Sequence, residues 1–236
     1  MPGRTSPPTA ERRAVRRDAL GIGLYALAFG ASFGAVSVAS GLDLLQTSFL
    51  SLVMFSGASQ FALVGVVASG GSVLAAAAAA LVLGARNAFY GVRLATLLPR
   101  RDVRPPRSLL TGQLVIDETT AMELGRDDPR TQRYAFWVTG ALLFVLWNVG
   151  TLAGAVLGRA AGDPQALGLD AAAPAAFLAL LWPRLGDRTA RAVAVGAALG
   201  ALALTPVAPA GVPVLAAAVV PVLAVITTTR PRRVTA

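Results

Sequence analysis

Arg86, Asp117 and Glu118 are charged residues within or beside long apolar stretches of this chain. The planar guanidinium of Arg86 can bind a carboxylate through two parallel hydrogen bonds. Asp117 or Glu118 can take a cation or a proton. Ser56 and Gln60 are four residues apart, so on a helix they share one face and offer a hydroxyl and an amide. These side chains predict a polar site inside an apolar protein.

Each of these positions also has a structural interpretation. Arg86 can extend towards the end of its segment and place its charge in water. Asp117 and Glu118 can lie in a solvated loop or at a helix end, and as helix neighbours they point about 100° apart, so both are not expected to face one pocket. The Ser56–Gln60 region can serve close helix packing, or Gly57 can let a helix unwind and free backbone groups for a ligand.

The elements that position these residues are apolar. Residues 44–85 contain no charged side chain, and the whole chain is 55% hydrophobic and 14% charged. A soluble domain carries about 25% charged residues. Several stretches reach the roughly 20 residues that a helix needs to cross hydrocarbon. We therefore predict an all-α polytopic integral membrane protein, in which ionisable groups at membrane depth are candidate functional residues.

The polar composition excludes several functions. All 21 basic residues are arginine, and nearly all adjoin apolar segments. This is the positive-inside pattern of cytoplasmic loops rather than a nucleic-acid-binding surface. The chain has no cysteine or histidine, which excludes disulfides, thiolate or imidazole metal sites and histidine acid–base chemistry. Without lysine it cannot build a phosphate-binding P-loop, so we predict no ATP hydrolysis, no cofactor and no enzymatic activity.

The chain is predicted to form one transmembrane domain, residues 19–229, between a cytoplasmic basic arm at 1–18 and a cytoplasmic tail at 230–236. About seven or eight helices are predicted to be transmembrane or re-entrant. The second is predicted to break near residues 56–59, and Gly30 and Gly34 in the first form a small-xxx-small pair suited to close packing. The predicted segments are 19–40, 44–69, 73–98, 108–124, 134–157, 171–182, 190–204 and 212–229.

Arginine placement leaves two arrangements open. Eight simple spans, the preferred arrangement, put four arginine-rich regions on the cytoplasmic side but leave Arg100–Arg107 outside. If segment two is instead a re-entrant hairpin, this loop moves to the cytoplasmic side and segment four becomes a shallow hairpin. Both arrangements predict a multi-pass protein of the cell membrane with both termini in the cytoplasm.

Four short elements, in this order and spacing, resemble the AzlC family, the large subunit of branched-chain amino-acid exporters. The likeness covers roughly residues 15–200. At two positions the chain departs from the family pattern, since Gly84 stands where an asparagine is usual and Asn87 where a histidine is usual. The elements are Gly-Leu-Tyr-Ala-Leu-Ala-Phe-Gly at 23–30, Phe-Ser-Gly-Ala-Ser-Gln-Phe at 55–61, Ala-Arg-Asn-Ala-Phe-Tyr-Gly at 85–91 and Ile-Asp-Glu-Thr at 116–119.

The resemblance implies export of leucine, isoleucine, valine or similar amino acids together with a small membrane partner of the AzlD type. Because no ATP hydrolysis is predicted for this chain, we predict secondary transport driven by a proton gradient. Such a substrate is a zwitterion with an apolar tail, so its site needs an anion partner, a cation partner and an apolar pocket. Asp117 and Glu118 are then the candidates for proton coupling. The alternative is a channel or membrane assembly subunit that transports nothing itself. The predicted substrate-binding residues are Ser56, Gly57, Ser59, Gln60, Arg86 and Asn87.

Overall fold

The computed structural model describes residues 7–98, 100, 102–160, 178, 181, 182, 185–209, 212–217 and 219–228. Most of the predicted sixth segment and the whole tail at 230–236 lie outside these residues. The predicted all-α fold is confirmed. The helices are α1 (Thr9–Ala39), α2 (Leu44–Val53), α3 (Gly57–Ala68), α4 (Val73–Leu97), α5 (Arg107–Gln113), α6 (Asp117–Leu124), α7 (Pro129–Ala160), α8 (Arg188–Leu204), α9 (Val212–Ala217) and α10 (Val219–Thr228).

Among the described residues, three helices are long and apolar enough to cross a membrane. These are α1, α4 and α7, with 31, 25 and 32 residues. A rise of about 1.5 Å per residue makes each longer than the roughly 30 Å hydrocarbon core of a bilayer. They form the frame on which the shorter helices are arranged.

Helices α1 and α7 pack parallel to each other with their backbones in direct contact, since rising residue numbers in α1 meet rising residue numbers in α7. A Cβ atom added to Gly30 would lie 2.5 Å from the carbonyl oxygen of Trp147. At Gly34 it would overlap the carbonyl oxygen of Thr151, and at Gly154 that of Ala31. Small residues allow this approach, which gains dispersion contacts that lipid chains do not offer. The predicted packing role of the Gly30 and Gly34 pair is confirmed.

One end of the bundle carries the arginine clusters, and we call it the arginine-rich end. There Arg16 Nε donates to the hydroxyl of Tyr134 at 2.8 Å, and Arg126 pairs with Asp18 at 2.7 Å. These contacts tie the first turns of α1 to the start of α7. Residues 9–18 of the predicted basic arm are helical, because α1 begins at Thr9 and continues through residue 19.

Segments two and four are each broken into two helices. The chain leaves helical conformation at residues 54–56, between α2 and α3, and again at residues 114–116, between α5 and α6. The first break lies just before the predicted one at 56–59. Gly57 is the first residue of α3, so it begins a helix rather than unwinding one.

The first pair, α2 and α3, turns back at its break. In α2, the hydroxyl of Ser51 donates to that of Thr151 of α7 at 3.1 Å. Phe55, after the end of α2, packs on Phe144, which lies nearer the middle of α7, with ring centroids 5.1 Å apart. On the way out, Phe61 packs on Phe33 of α1 at 5.5 Å. The end of α3 then packs on the first turns of α4, through Ala62, Val66, Ala76 and Ala79. The pair thus enters from and returns to the end opposite the arginine-rich end.

The second pair, α5 and α6, turns back from the other side. Before α5, Asp102 accepts hydrogen bonds from Arg133 at 2.5 and 3.2 Å, which places the 100–107 loop at the arginine-rich end. At the end of α5, Gln113 reaches the backbone of Leu52 in the middle of the bundle. After α6, Arg126 returns to Asp18 at the arginine-rich end.

This geometry corresponds to the re-entrant arrangement, and the preferred arrangement of eight simple spans is wrong for segments two and four. The physical reason is length. Helices of 7 to 12 residues cover only about 10 to 18 Å, roughly half of the hydrocarbon core. The two helix pairs enter from opposite ends and meet in the middle of the bundle. The described arginines of residues 100–107 lie at the arginine-rich end.

Candidate functional site

The two breaks meet at a cavity of about 760 Å³ in the middle of the bundle. Its wall combines α1, both breaks, α4, α6 and α7. Five of the eight predicted site residues line it, while Ser59, Gln60 and Asn87 do not. The lining includes Tyr25, Phe29, Phe55, Ser56, Gly57, Arg86, Ile116, Asp117, Glu118, Leu143 and Trp147.

An ion pair crosses this cavity from α4 to α6. Arg86 Nε lies 3.2 Å from Asp117 Oδ1, and the two side chains are 34% and 23% exposed. Partial burial strengthens the attraction relative to a surface pair, while the remaining exposure leaves both groups accessible to a ligand. The interpretation of Arg86 as a side chain that extends to the membrane surface is therefore wrong, because its guanidinium faces the cavity.

Glu118 lines the same cavity as Asp117, so the expectation that these neighbours cannot share a pocket is wrong. Both lie in the first turn of α6, where the helix begins at the cavity wall. A cavity of this width accommodates side chains that diverge by about 100°. The site therefore contains one cation and two carboxylates, and its net charge depends on their protonation.

Aromatic rings form the apolar side of the cavity. Phe29 of α1 packs against Trp147 of α7 with centroids 6.1 Å apart, and Phe55 at the first break packs edge-on against Phe144. Tyr25 stacks on Phe29 at 5.6 Å. Such rings bury a large apolar area in a defined geometry, which suits an apolar side chain of a ligand.

Two helix N-termini open at this cavity. α3 begins at Gly57 and α6 at Asp117, and both residues line the wall. The first N–H groups of a helix lack intrahelical partners and carry partial positive charge. A Cβ at Gly57 would lie 3.0 Å from the ring of Trp147, so glycine keeps this N-terminus open beside the indole.

Two of the three remaining predicted residues lie at a second cavity of about 640 Å³. Asn87 and Ser59 line it, together with Gln113 at the end of α5. The two cavities have only Phe55 and Ser56 in common. Arg86 and Asn87 are neighbours on α4 and therefore point to different cavities. The predicted substrate-binding set is thus divided by the first break.

Gln60 lines neither cavity, although it was predicted to bind substrate. It is completely buried, and its Nε2 donates to the carbonyl oxygen of Leu50 at 3.0 Å. Gln113 donates to the carbonyl oxygens of Leu52 and Val53 at 2.8 and 3.2 Å. The carbonyls of Leu52 and Val53 lie at the end of α2, where the helix offers no backbone donor, and the Leu50 carbonyl also accepts from the N–H of Met54 at 2.9 Å. The two amides therefore stabilise the end of α2 inside the bundle.

A Gln60→Leu variant should lose stability because the Leu50 carbonyl would lose its side-chain donor and keep only the backbone N–H of Met54. We expect a loss of about 0.5–1.5 kcal/mol, the usual net contribution of one hydrogen bond. Thermal unfolding of the purified protein in detergent measures this change. An unchanged midpoint would contradict the capping role of Gln60.

Sequence reasoning missed Tyr25, Phe29 and Phe55 as cavity residues, and Glu123 as a buried carboxylate. Tyr25, Phe29 and Phe33 follow each other at four-residue spacing, which places them on one face of α1. That periodicity was a usable signal for an aromatic wall. Glu123 had no such signal, because nothing in the order of residues distinguishes it from a solvated carboxylate at a helix end.

An all-α membrane protein with a charged cavity between two broken helix pairs is the class that this fold and this site define. The chain belongs to the AzlC family, since the family model described as AzlC protein matches residues 21–161. AzlC is a membrane transport family, and all eight predicted site residues lie within the matched region.

A curated relative is the inner membrane protein YgaZ of Escherichia coli (strain K12). It is 26% identical over 145 residues, which cover 60% of this chain and 59% of the relative. The match thus spans about three-fifths of the length of that relative. No solved structure matches this chain. Family and relative together indicate a membrane protein with a transport-related role.

Proposed function

We propose that this protein is a secondary transporter subunit that exports branched-chain or similar apolar amino acids. The observation that carries the proposal is the Arg86–Asp117 ion pair inside a cavity with an aromatic wall. An apolar amino acid presents a carboxylate, an ammonium group and an apolar tail. The cavity offers a complementary group for each of the three.

On binding, the charged groups of the substrate replace the contact that Arg86 and Asp117 make with each other. Its carboxylate binds the guanidinium fork of Arg86 and the free N–H groups at the start of α3. Its ammonium group binds Asp117 or Glu118 across the cavity. The Phe29, Phe55 and Trp147 rings hold its side chain, so removing a methylene from that side chain weakens binding by about 1 kcal/mol.

The two broken helix pairs support alternating access to this site. Each reaches the cavity from a different end of the bundle, and discontinuous helices are the usual way in which transporters expose backbone groups at midplane. By the positive-inside rule, the arginine-rich end faces the cytoplasm, which places the N-terminus there. A proton gradient drives export, and a small membrane partner of the AzlD type completes the transporter, as the family resemblance implies.

Proteoliposomes that contain this chain and such a partner test the proposal. Labelled leucine should leave vesicles faster than it leaves empty ones, in proportion to the imposed proton gradient, and excess valine should compete while aspartate should not. Leucine movement equal to that of empty vesicles, with the two chains still co-purifying, would contradict transport and favour the assembly-subunit alternative.

A further inference from the structure

Glu123 is a carboxylate inside the bundle without a counter-charge. Its side chain has no exposed surface. Neither Oε1 nor Oε2 has a hydrogen-bond partner within the described part of the chain. It lies on α6, one residue before the end of that helix and six residues after Asp117, so it is about 9 Å along the axis from the ion pair.

Helices α1, α4 and α7 pack against α6. No described ion pair joins a charged group of these three helices to Glu123. Many bind each other instead. Asp18 pairs with Arg126 and Arg17, Arg16 and Arg12 contact Tyr134, Glu11 accepts from Thr131, Arg133 pairs with Asp102, and Arg86 pairs with Asp117. The remaining titratable groups on these helices and on α6 itself are Arg13, Tyr25, Tyr90, Arg93, Glu118, Arg130 and Arg159.

A buried carboxylate without cation or donor is much less costly when it is protonated than when it is ionised. The adjacent residue Met122 belongs to an apolar cluster with Val15, Ala19 and Ala135, between α1, α6 and α7.

We propose that Glu123 is the proton-binding site that couples transport to the proton gradient, an inference that rests on the proposed transport function. The site lies between the substrate cavity and the arginine-rich end. In the conformation described here, its carboxyl group holds the proton. When the α5–α6 pair moves and admits water, the O–H bond breaks, the proton passes to water at that end, and the carboxylate is hydrated until the pair closes again.

This assignment separates two roles, ammonium binding and proton coupling, that were both predicted for Asp117 and Glu118. Those two residues lie at the cavity and serve the substrate ammonium group. Glu123 lies outside the cavity lining, so it can exchange a proton without contacting the amino acid. Removal of its titratable group should therefore affect coupling and leave substrate exchange in place.

A Glu123→Gln variant tests this because glutamine has the shape of the protonated acid but cannot release a proton. In proteoliposomes it should exchange internal for external leucine at about the wild-type rate. Leucine-driven proton movement, followed with a pH-sensitive dye, should fall to that of empty vesicles, and the pH profile of exchange should become flat. Asp187→Asn is the matched control, since it makes the same change at an exposed helix cap where asparagine serves equally well.

Retained proton movement in Glu123→Gln would overturn the inference. Infrared spectroscopy gives a second readout that does not depend on transport. The wild-type protein should show a carbonyl band of a protonated carboxylic acid at neutral pH that is missing in Glu123→Gln, and an identical band in both would also overturn the inference.

Absence of any leucine movement in the wild type would instead be a failure of the proposed function. If the glutamine variant does not fold, Glu123→Asp should retain proton movement with a displaced pH profile, and an unchanged profile would count against the inference.

Discussion

An Arg86→Ala variant should export leucine about two orders of magnitude more slowly than the wild type. Arg86 is the cationic half of the ion pair with Asp117, and the proposed substrate carboxylate has the same charge requirement. Truncating one partner of a desolvated charge pair costs about 2–5 kcal/mol, and 1.4 kcal/mol corresponds to a factor of ten. We take the lower half of this range because 34% of the Arg86 side chain remains exposed. Initial rates of labelled leucine efflux from proteoliposomes measure the effect.

Two further variants show whether the guanidinium itself is required. Arg86→Lys keeps the positive charge but cannot form two parallel hydrogen bonds with a carboxylate, so its efflux rate should lie between those of the wild type and Arg86→Ala. Arg93→Ala is the control, because Arg93 lies two turns further along α4, is exposed and lines neither cavity. An Arg86→Ala protein that transports as fast as Arg93→Ala would contradict the site.

Part of this site is predictable from the sequence alone. An arginine in an apolar segment with two carboxylates 31 and 32 residues later is a visible pattern, and the structure brings the three to one cavity. The break at Ser56 and Gly57 was visible for a similar reason, because lipid does not favour such a polar stretch. In both cases the signal was a residue whose chemistry conflicts with its surroundings.

The rest depended on contacts that lie far apart in the chain. Arginine placement was compatible with eight spans or with hairpins, and long-range contacts such as the Asp102–Arg133 pair and the Gln113–Leu52 hydrogen bond distinguish them. Gln60 was assigned to substrate on the basis of its type, yet its partner is the Leu50 carbonyl ten residues earlier. Spacing alone cannot show whether a buried amide faces a ligand or the end of a neighbouring helix.

A Gly154→Ala substitution should destabilise the protein more than other small changes at its helix glycines. The added Cβ would overlap the carbonyl oxygen of Ala31 and approach its Cα within 2.7 Å. Backbone atoms in the middle of a helix cannot move aside, so α1 and α7 must separate along their whole interface. Overpacking of this kind costs about 1–3 kcal/mol or more. Thermal unfolding in detergent measures the loss.

Two other glycines provide graded controls. A Cβ at Gly23 would meet side-chain atoms alone, the end of Leu146 at 2.7 Å and Leu142 at 3.3 Å, and these side chains can rotate, so Gly23→Ala should be milder. Gly21 has nothing within 4 Å of that position, so Gly21→Ala should be neutral or stabilising through its helix propensity. Equal midpoints for all three variants would contradict the backbone contact between α1 and α7.

The source of the clash can be identified with one more variant. The atoms that a Cβ at Gly154 would meet belong to the Ala31 backbone, so combining Gly154→Ala with Ala31→Gly should not restore stability. Rescue would mean that side-chain packing, rather than backbone approach, limits this position. The distinction matters for transport because Phe29 and Trp147, on either side of the same interface, form the aromatic wall of the cavity. Separation of α1 from α7 would widen that wall, so a folded Gly154→Ala protein should bind leucine more weakly than either control.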